Sequence, residues 1–250
     1  MRITSFFIVL LLAFNVSASS KDMNQDLSLD FLNEQYILYF YNEAVIESDE
    51  NVQVPIGFDA FKALMNAQHR YGKKTRYVGL VEFSDPSTAE RFLIVDTIDK
   101  RIVLSTYLPH AVNSGTLYAV DFSNERMSHK NSLGAYKATK SYVGKSGLAL
   151  KLKGMVDGLN DNAFKRNITI NGSRQADPKR IEENGMLGFT KGDFSLPFDK
   201  LEEAIGYLEN GSIVVAYKSM YYSPSPEGFG DMFAALEEPD VANKLKLVNN

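Results

Sequence analysis

The sequence predicts a mostly β domain over about residues 73–218, with a few flanking α-helices. Short runs of β-branched, aromatic and aliphatic residues recur through this region, separated by turn residues, which is typical of strands. At 250 residues the chain is long enough for one large domain or two small ones. Its 44% hydrophobic and 23% charged residues are those of a globular protein, so disorder, collagen and coiled coil are excluded.

The predicted strands follow one another closely along this region. Residues 97–100 form a hairpin-sized connection between the second and the third. In the fifth, Leu150 and Leu152 alternate with lysines, which favours a sheet with one solvated face. The predicted strands are 77–83, 91–96, 101–108, 134–139, 148–152, 167–170 and 213–217.

Helical periodicity appears before the strands and between them. Apolar residues from Phe58 to Met65 fall on one helical face, and this helix is expected to end near Gly72. Two further helices are predicted, one with Asp177-Pro178 as N-cap and first residue, the other from Pro197 to Leu208. The spacing in residues 27–46 fits neither period, so the type of that segment stays open.

The first 18 residues have the features of a secretory signal peptide. Arg2 precedes nine apolar residues, 6–14, and Val16-Ser17-Ala18 matches a small-residue cleavage site. Nine residues rise only about 14 Å as a helix, against a bilayer core of roughly 30 Å. We therefore predict an exported protein, periplasmic or extracellular, with no stable membrane span after cleavage. Residues 19–72 form a helical or irregular segment, and 219–250 a linker and an amphipathic tail.

Charge and cysteine content exclude several classes of function. The 27 basic and 31 acidic residues give a net charge of -4, which argues against nucleic acid as a partner. The sequence contains no cysteine. A disulfide, a zinc-thiolate site and a cysteine nucleophile are therefore all unavailable to this chain. We predict no cofactor and no metal.

Several short sequence motifs follow one another between residues 80 and 170. This order resembles the murein L,D-transpeptidase catalytic-domain family of bacterial cell-wall proteins, over roughly residues 57–217. The resemblance implies a mixed-sheet β domain and peptidoglycan or a cell-wall protein as the partner. The motifs are LVEFSDPS (80–87), RFLIVD (91–96), SG (114–115), DFSN (121–124), SHKNSLG (128–134), YVGKSG (142–147), LKLKG (150–154), NDNA (160–163) and Arg166.

Members of this family attack a peptidoglycan stem peptide with a cysteine thiolate activated by a histidine base. The resemblance places the base at Asn171, which precedes Gly172, and the thiol at Asp193, which follows Gly192. An amide cannot take a proton near neutral pH, and a carboxylate is a poor nucleophile toward an amide. An earlier His-Gly pair of the family is reduced to His110, which is followed by alanine. The family reaction is therefore expected to be lost.

We interpret the chain as a pseudoenzyme that binds peptidoglycan stem peptides or a cell-wall enzyme through a vestigial cleft. Two alternatives stay open. One is a hydrolase or transferase rebuilt around Asp193, either as a nucleophile or as a metal ligand with two histidines. The other is a structural interaction protein that uses its terminal segments. The residues expected to line the cleft are His110, His129, Asn171, Gly172, Gly192 and Asp193.

Overall fold

The computed structural model describes residues 36–44, 56–72, 75–145 and 147–219. The predicted signal peptide, linker and C-terminal tail lie outside these residues. Among the helices described, none combines the length and the apolar character that a membrane span requires.

Eight strands form a single mixed sheet with the order β3-β2-β1-β8-β4-β5-β6-β7. The β1–β8 and β6–β7 pairs are parallel, and the other neighbours are antiparallel. The predicted fold class, a mixed β sheet with a few helices, is confirmed. The strands are β1 (Tyr77–Glu82), β2 (Phe92–Asp96), β3 (Arg101–Thr106), β4 (Gly134–Gly144), β5 (Gly147–Gly154), β6 (Thr169–Gly172), β7 (Phe194–Leu196) and β8 (Ile213–Tyr217). The helices are α1 (36–44), α2 (Phe58–Tyr71), α3 (Lys179–Asn184) and α4 (Phe198–Leu208), with a 3₁₀ turn at Arg174–Ala176.

The two faces of the sheet are covered differently. The inner face, which carries Leu150, Leu152 and Ile170, packs against α4 in one hydrophobic core. The outer face packs against α1 and α2 in a second core that includes Ala135 and Val215. Helix α2 contacts mainly β1 and β8, so it covers the outer face over the first half of the sheet.

The other half of the outer face, over β4 to β7, carries polar side chains. Directly paired residues of neighbouring strands point to the same face. Asn171 pairs with Ala149 on one side and Ser195 on the other, and Thr169 pairs with Lys151. Leu150, which lies between Ala149 and Lys151 on β5, faces the inner core. Ala149 and Lys151, and the residues paired with them, therefore lie on the outer face. This polar half-face is where the candidate site lies.

The structure differs from the predicted elements at several boundaries. Strand β7 was not predicted, because three residues are too few to show a period. Residues 36–44, whose type was left open, are helical. Pro178 and Pro197 are N-cap residues of α3 and α4, whereas the sequence placed both inside their helices. A β-bulge between Ala138 and Ser141 lets β4 continue to Gly144, five residues beyond its predicted end.

Candidate functional site

A tight turn over residues 190–193 sets the position of Asp193. The Thr190 hydroxyl accepts a hydrogen bond from the Gly192 amide and donates one to the Asp193 carbonyl, both at 3.1 Å. Gly192 has a φ of 120°, which L side chains rarely adopt. A Cβ there would also lie 3.0 Å from the Lys130 carbonyl oxygen. The glycine before Asp193 is therefore required by the turn itself.

The Asp193 carboxylate is bound to the neighbouring strand β6. Its Oδ1 accepts hydrogen bonds from both the backbone amide and the hydroxyl of Thr169, each at 3.1 Å. Burial raises the pKa of Asp193 above its ordinary value, although the Thr169 bonds and the positive Arg166 act in the opposite direction. The two hydrogen bonds from Thr169 thus fix the position of the Asp193 carboxylate.

Asn171 belongs to the same hydrogen-bond network as Asp193. Its Nδ2 donates to the Thr169 hydroxyl at 2.9 Å, and its Oδ1 accepts from the Ser195 hydroxyl at 2.8 Å. Thr169 therefore lies between the two predicted site residues and bonds to both. We call the side chains of Thr169, Asn171, Asp193 and Ser195 the site network. Sequence reasoning missed Thr169 and Ser195, although the alternation Thr169-Ile170-Asn171 indicates that the two polar residues share a face.

Gly172 faces the opposite side of the sheet from Asn171. A Cβ at Gly172 would lie 2.6 Å from Cδ1 of Phe198 and 3.2 Å from Cδ2 of Leu201. Both residues belong to α4, which packs on the inner face. The absence of a side chain at Gly172 therefore allows α4 to approach β6.

His110 is fully buried and does not belong to the site network. Its Nδ1 lies 2.9 Å from Nη2 of Arg91, which is also fully buried. Because a guanidinium only donates, Nδ1 must accept, and the ring is neutral with its proton on Nε2. Burial and the charge of Arg91 lower the pKa of His110 to about 4. Direct contact between the His110 side chain and a ligand stays a prediction, and this burial does not favour it.

His129 lies in a strained loop next to the segment that carries His110. Its φ is 53°, and its carbonyl oxygen accepts a hydrogen bond from the Asn113 amide at 3.1 Å. In the described ranges no hydrogen bond joins its imidazole to Asn171 or Asp193. The same part of the chain contains no group of three or more histidine, aspartate or glutamate side chains that could hold a metal ion.

Backbone hydrogen bonds nevertheless tie the three predicted site segments together. The Thr190 amide donates to the His110 carbonyl at 2.9 Å. The buried Asn131 accepts from the Ala111 amide at 2.7 Å and donates to the Gly192 carbonyl at 3.2 Å. We call this connection of residues 109–114, 128–132 and 190–193 the loop frame. Sequence reasoning missed the part played by Asn131, because only the fold brings its partners together.

A family model for the L,D-transpeptidase catalytic domain matches residues 49–217. The chain belongs to the L,D-transpeptidase catalytic-domain family. No curated protein matches the chain.

Solved structures of L,D-transpeptidases are among those similar to this family member. One is an L,D-transpeptidase from Mycobacterium smegmatis, with 8% identity and a TM-score of 0.36, which covers 57% of this chain and 58% of that chain. Another is L,D-transpeptidase 3 from Mycobacterium tuberculosis, with 15% identity and a TM-score of 0.33, covering 57% and 61%. The helical cell shape determining protein Pgp2 from Campylobacter jejuni has 14% identity and a TM-score of 0.39, covering 57% and 48%. The match thus spans about half to three fifths of those proteins.

The site network sets what this L,D-transpeptidase family member has available for chemistry. It offers amide, hydroxyl and carboxylate groups, and the sequence has no thiol. Asn171 and Asp193 each use at least one side-chain atom to bond within the network. Groups of this kind suit the recognition of peptide amides and ammonium groups, whereas a carboxylate already held by two donors is a weak nucleophile.

Proposed function

We propose that this protein is an exported, non-catalytic member of the L,D-transpeptidase family that binds peptidoglycan stem peptides. The observation that carries the proposal is the site network itself. Asn171 and Asp193, which the family resemblance places at the base and nucleophile positions, are bonded through Thr169 instead of facing each other as acid and base. The family reaction needs a thiolate and an imidazole there, and neither group is present.

The outer half-face offers groups that complement a stem peptide. The Asp193 carboxylate, whose Oδ1 is bonded to Thr169, is an acceptor for an ammonium group, such as the side-chain amine of a diamino acid. Asn171 is half-buried and carries both donor and acceptor atoms, which suits a peptide backbone. The loop frame holds the turn that carries Asp193, and the pairing of β6 with β5 and β7 holds Asn171, so binding does not need the family's thiolate chemistry. A cell-wall enzyme is the alternative partner.

The test is co-sedimentation of residues 19–250 with purified peptidoglycan sacculi, followed by analysis of the muropeptides released. We expect the protein to sediment with the sacculi and to leave the muropeptide profile unchanged, with or without added zinc. A changed profile would show that the site has been rebuilt for catalysis. Absence of binding would refute the stem-peptide proposal and favour a protein partner.

Asp193→Asn is the matched variant, because it keeps the size and the acceptor oxygen and removes the charge. We expect weaker sedimentation and the same muropeptide profile as the wild type. If the wild type is active and Asp193→Asn is not, Asp193 is a catalytic residue and the non-catalytic proposal is wrong. Lys179→Gln, an exposed single-charge change on α3, serves as the control.

A further inference from the structure

The end of the β4–β5 hairpin projects beyond the strands on either side of it. Strand β8 pairs with β4 only as far as Lys137, and β6 pairs with β5 only from Ala149 onward. In the described part of the chain, residues 143, 144, 147 and 148 therefore pair only with one another. We call residues 139–145 and 147–148 the hairpin end. Most of its side chains are exposed, so it is a surface that an external partner can reach.

The hairpin concentrates positive charge on an acidic chain. Residues 134–156 contain five lysines and no aspartate or glutamate, although the net charge of the chain is -4. Lys140 and Lys145 are exposed on the hairpin end, and Lys137 is directly paired with Lys153, an arrangement of like charges that is destabilising. Of the ion pairs found in the described ranges, none includes a lysine of this hairpin. The hairpin therefore attracts an external anion.

Apolar and aromatic side chains are exposed beside these lysines. Val143 is 81% exposed, whereas valine is among the residues most often buried. Its neighbour Tyr142 is 39% exposed. The Nζ of Lys151 lies between two rings, 5.6 Å from the centroid of Tyr142 and 5.0 Å from that of Phe164, which is 54% exposed. The hairpin thus combines an apolar tip, exposed aromatic rings and ammonium groups.

We propose that the hairpin end docks peripherally on an anionic lipid bilayer. Val143 enters the boundary between headgroups and acyl chains, the aromatic rings lie at the level of the headgroups, and the lysines contact lipid phosphates. A soluble polyanion would bind the lysines alone and would leave Val143 in water, so the exposed apolar tip favours a bilayer. The inference is independent of the proposed function, because these residues lie outside the site network.

Sedimentation with lipid vesicles tests the docking. The vesicles are pure phosphatidylglycerol, which is anionic, or pure phosphatidylcholine, which has no net charge. We expect residues 19–250 to sediment with the first and not with the second. The double variant Lys140→Gln/Lys145→Gln should weaken binding to the anionic vesicles about 30-fold, because each lysine near such a surface contributes about fivefold in affinity. Arg101→Gln/Lys179→Gln removes two exposed charges outside the hairpin and should leave the affinity nearly unchanged.

A tryptophan at position 143 reports whether the tip enters the bilayer. The sequence contains no tryptophan, so the emission of Val143→Trp comes mainly from that residue. We expect anionic vesicles to shift this emission to shorter wavelength, because the indole ring leaves water. Ile98→Trp, in the exposed turn between β2 and β3, is the matched control and should show no shift. Polyglutamate, an anion without acyl chains, should shift neither variant.

Four results would overturn the docking proposal. Equal binding to both kinds of vesicle, or binding to neither, excludes a site for an anionic bilayer. If Lys140→Gln/Lys145→Gln binds as tightly as the wild type, another part of the chain contacts the vesicles. If anionic vesicles bind but the emission of Val143→Trp does not shift, the hairpin is a general anion surface. None of these results bears on stem-peptide binding, which the sacculi test separately.

Discussion

Replacing Thr169 by valine tests the site network with almost no change in shape. Thr169 is 5% exposed, and its hydroxyl donates to Asp193 at 3.1 Å and accepts from Asn171 at 2.9 Å. Valine keeps the branched side chain and removes both bonds. The backbone amide of residue 169 still donates to Asp193, so the carboxylate keeps one of its two donors.

The expected cost follows from these two bonds. A typical intramolecular hydrogen bond contributes about 1 kcal/mol net, and a buried group that loses its partner costs about 1–3 kcal/mol. Asn171 is half-buried and can recover a bond to water, whereas Asp193 is a charged group whose pKa burial already raises. We therefore expect Thr169→Val to destabilise the fold by about 2 kcal/mol. For a domain of this size that lowers Tm by about 4–8 °C.

Thermal unfolding followed by circular dichroism measures this change. Ser87→Ala is the control, because Ser87 is buried and its hydroxyl has no hydrogen-bond partner in the described part of the chain. It should unfold at the wild-type temperature or slightly above. Thr169→Val should also bind sacculi more weakly, since Asn171 and Asp193 lose the group that aligns them. A Tm equal to that of the wild type would refute the argument that Thr169 holds the site together.

Three further predictions concern the pH dependence of stability, the loop frame and the end of β5. Burial raises the pKa of Glu82 from 4.5 to about 7. The contribution of its protonated carboxyl group to stability is therefore complete below pH 4.5 and is lost as the pH rises through 7. In urea titrations, Glu82→Gln should gain stability relative to the wild type between about pH 5 and 8. Asn131→Ala leaves the buried Ala111 amide without an acceptor and should cost about 2–3 kcal/mol by the same titrations. Gly154→Ala places a Cβ 1.8 Å from the Asn160 carbonyl oxygen, and we expect little folded protein on expression.

Sequence reasoning located most of the sheet because its strands have a clear hydrophobic signal. Strands β1, β2 and β8 are buried almost throughout and read as short apolar runs. Strand β7 gave no such signal, since only Phe194 and Leu196 point into the core. The pairing of β7 with β6 is parallel and depends on the intervening turn and helix, which no local pattern specifies.

The candidate site was predictable only at the level of positions. The family resemblance singled out Asn171 and Asp193, but not the hydroxyl groups that bond to them. Thr169 and Ser195 approach these residues through the register of β6 and β7, a property of the folded sheet. The burial of His110 was also not predictable from the sequence, because the buried His110 side chain contacts Arg91, 19 residues earlier in the chain. Local sequence carries no information about such contacts.

The loop frame is built from groups that do not depend on which side chains occupy positions 171 and 193. Its bonds run mainly between backbone atoms, as from the Thr190 amide to the His110 carbonyl, or from Asn131 to two backbone groups. Because backbone groups exist whatever the side chain, substitution at positions 171 and 193 does not break these bonds. The Asp193 and Asn171 side chains have hydrogen-bond partners on β6 and β7. Under the proposed function, hydrogen bonds from Thr169 and Ser195 hold the Asp193 and Asn171 side chains in position, so the half-face does not need a thiol or an imidazole to recognise a ligand.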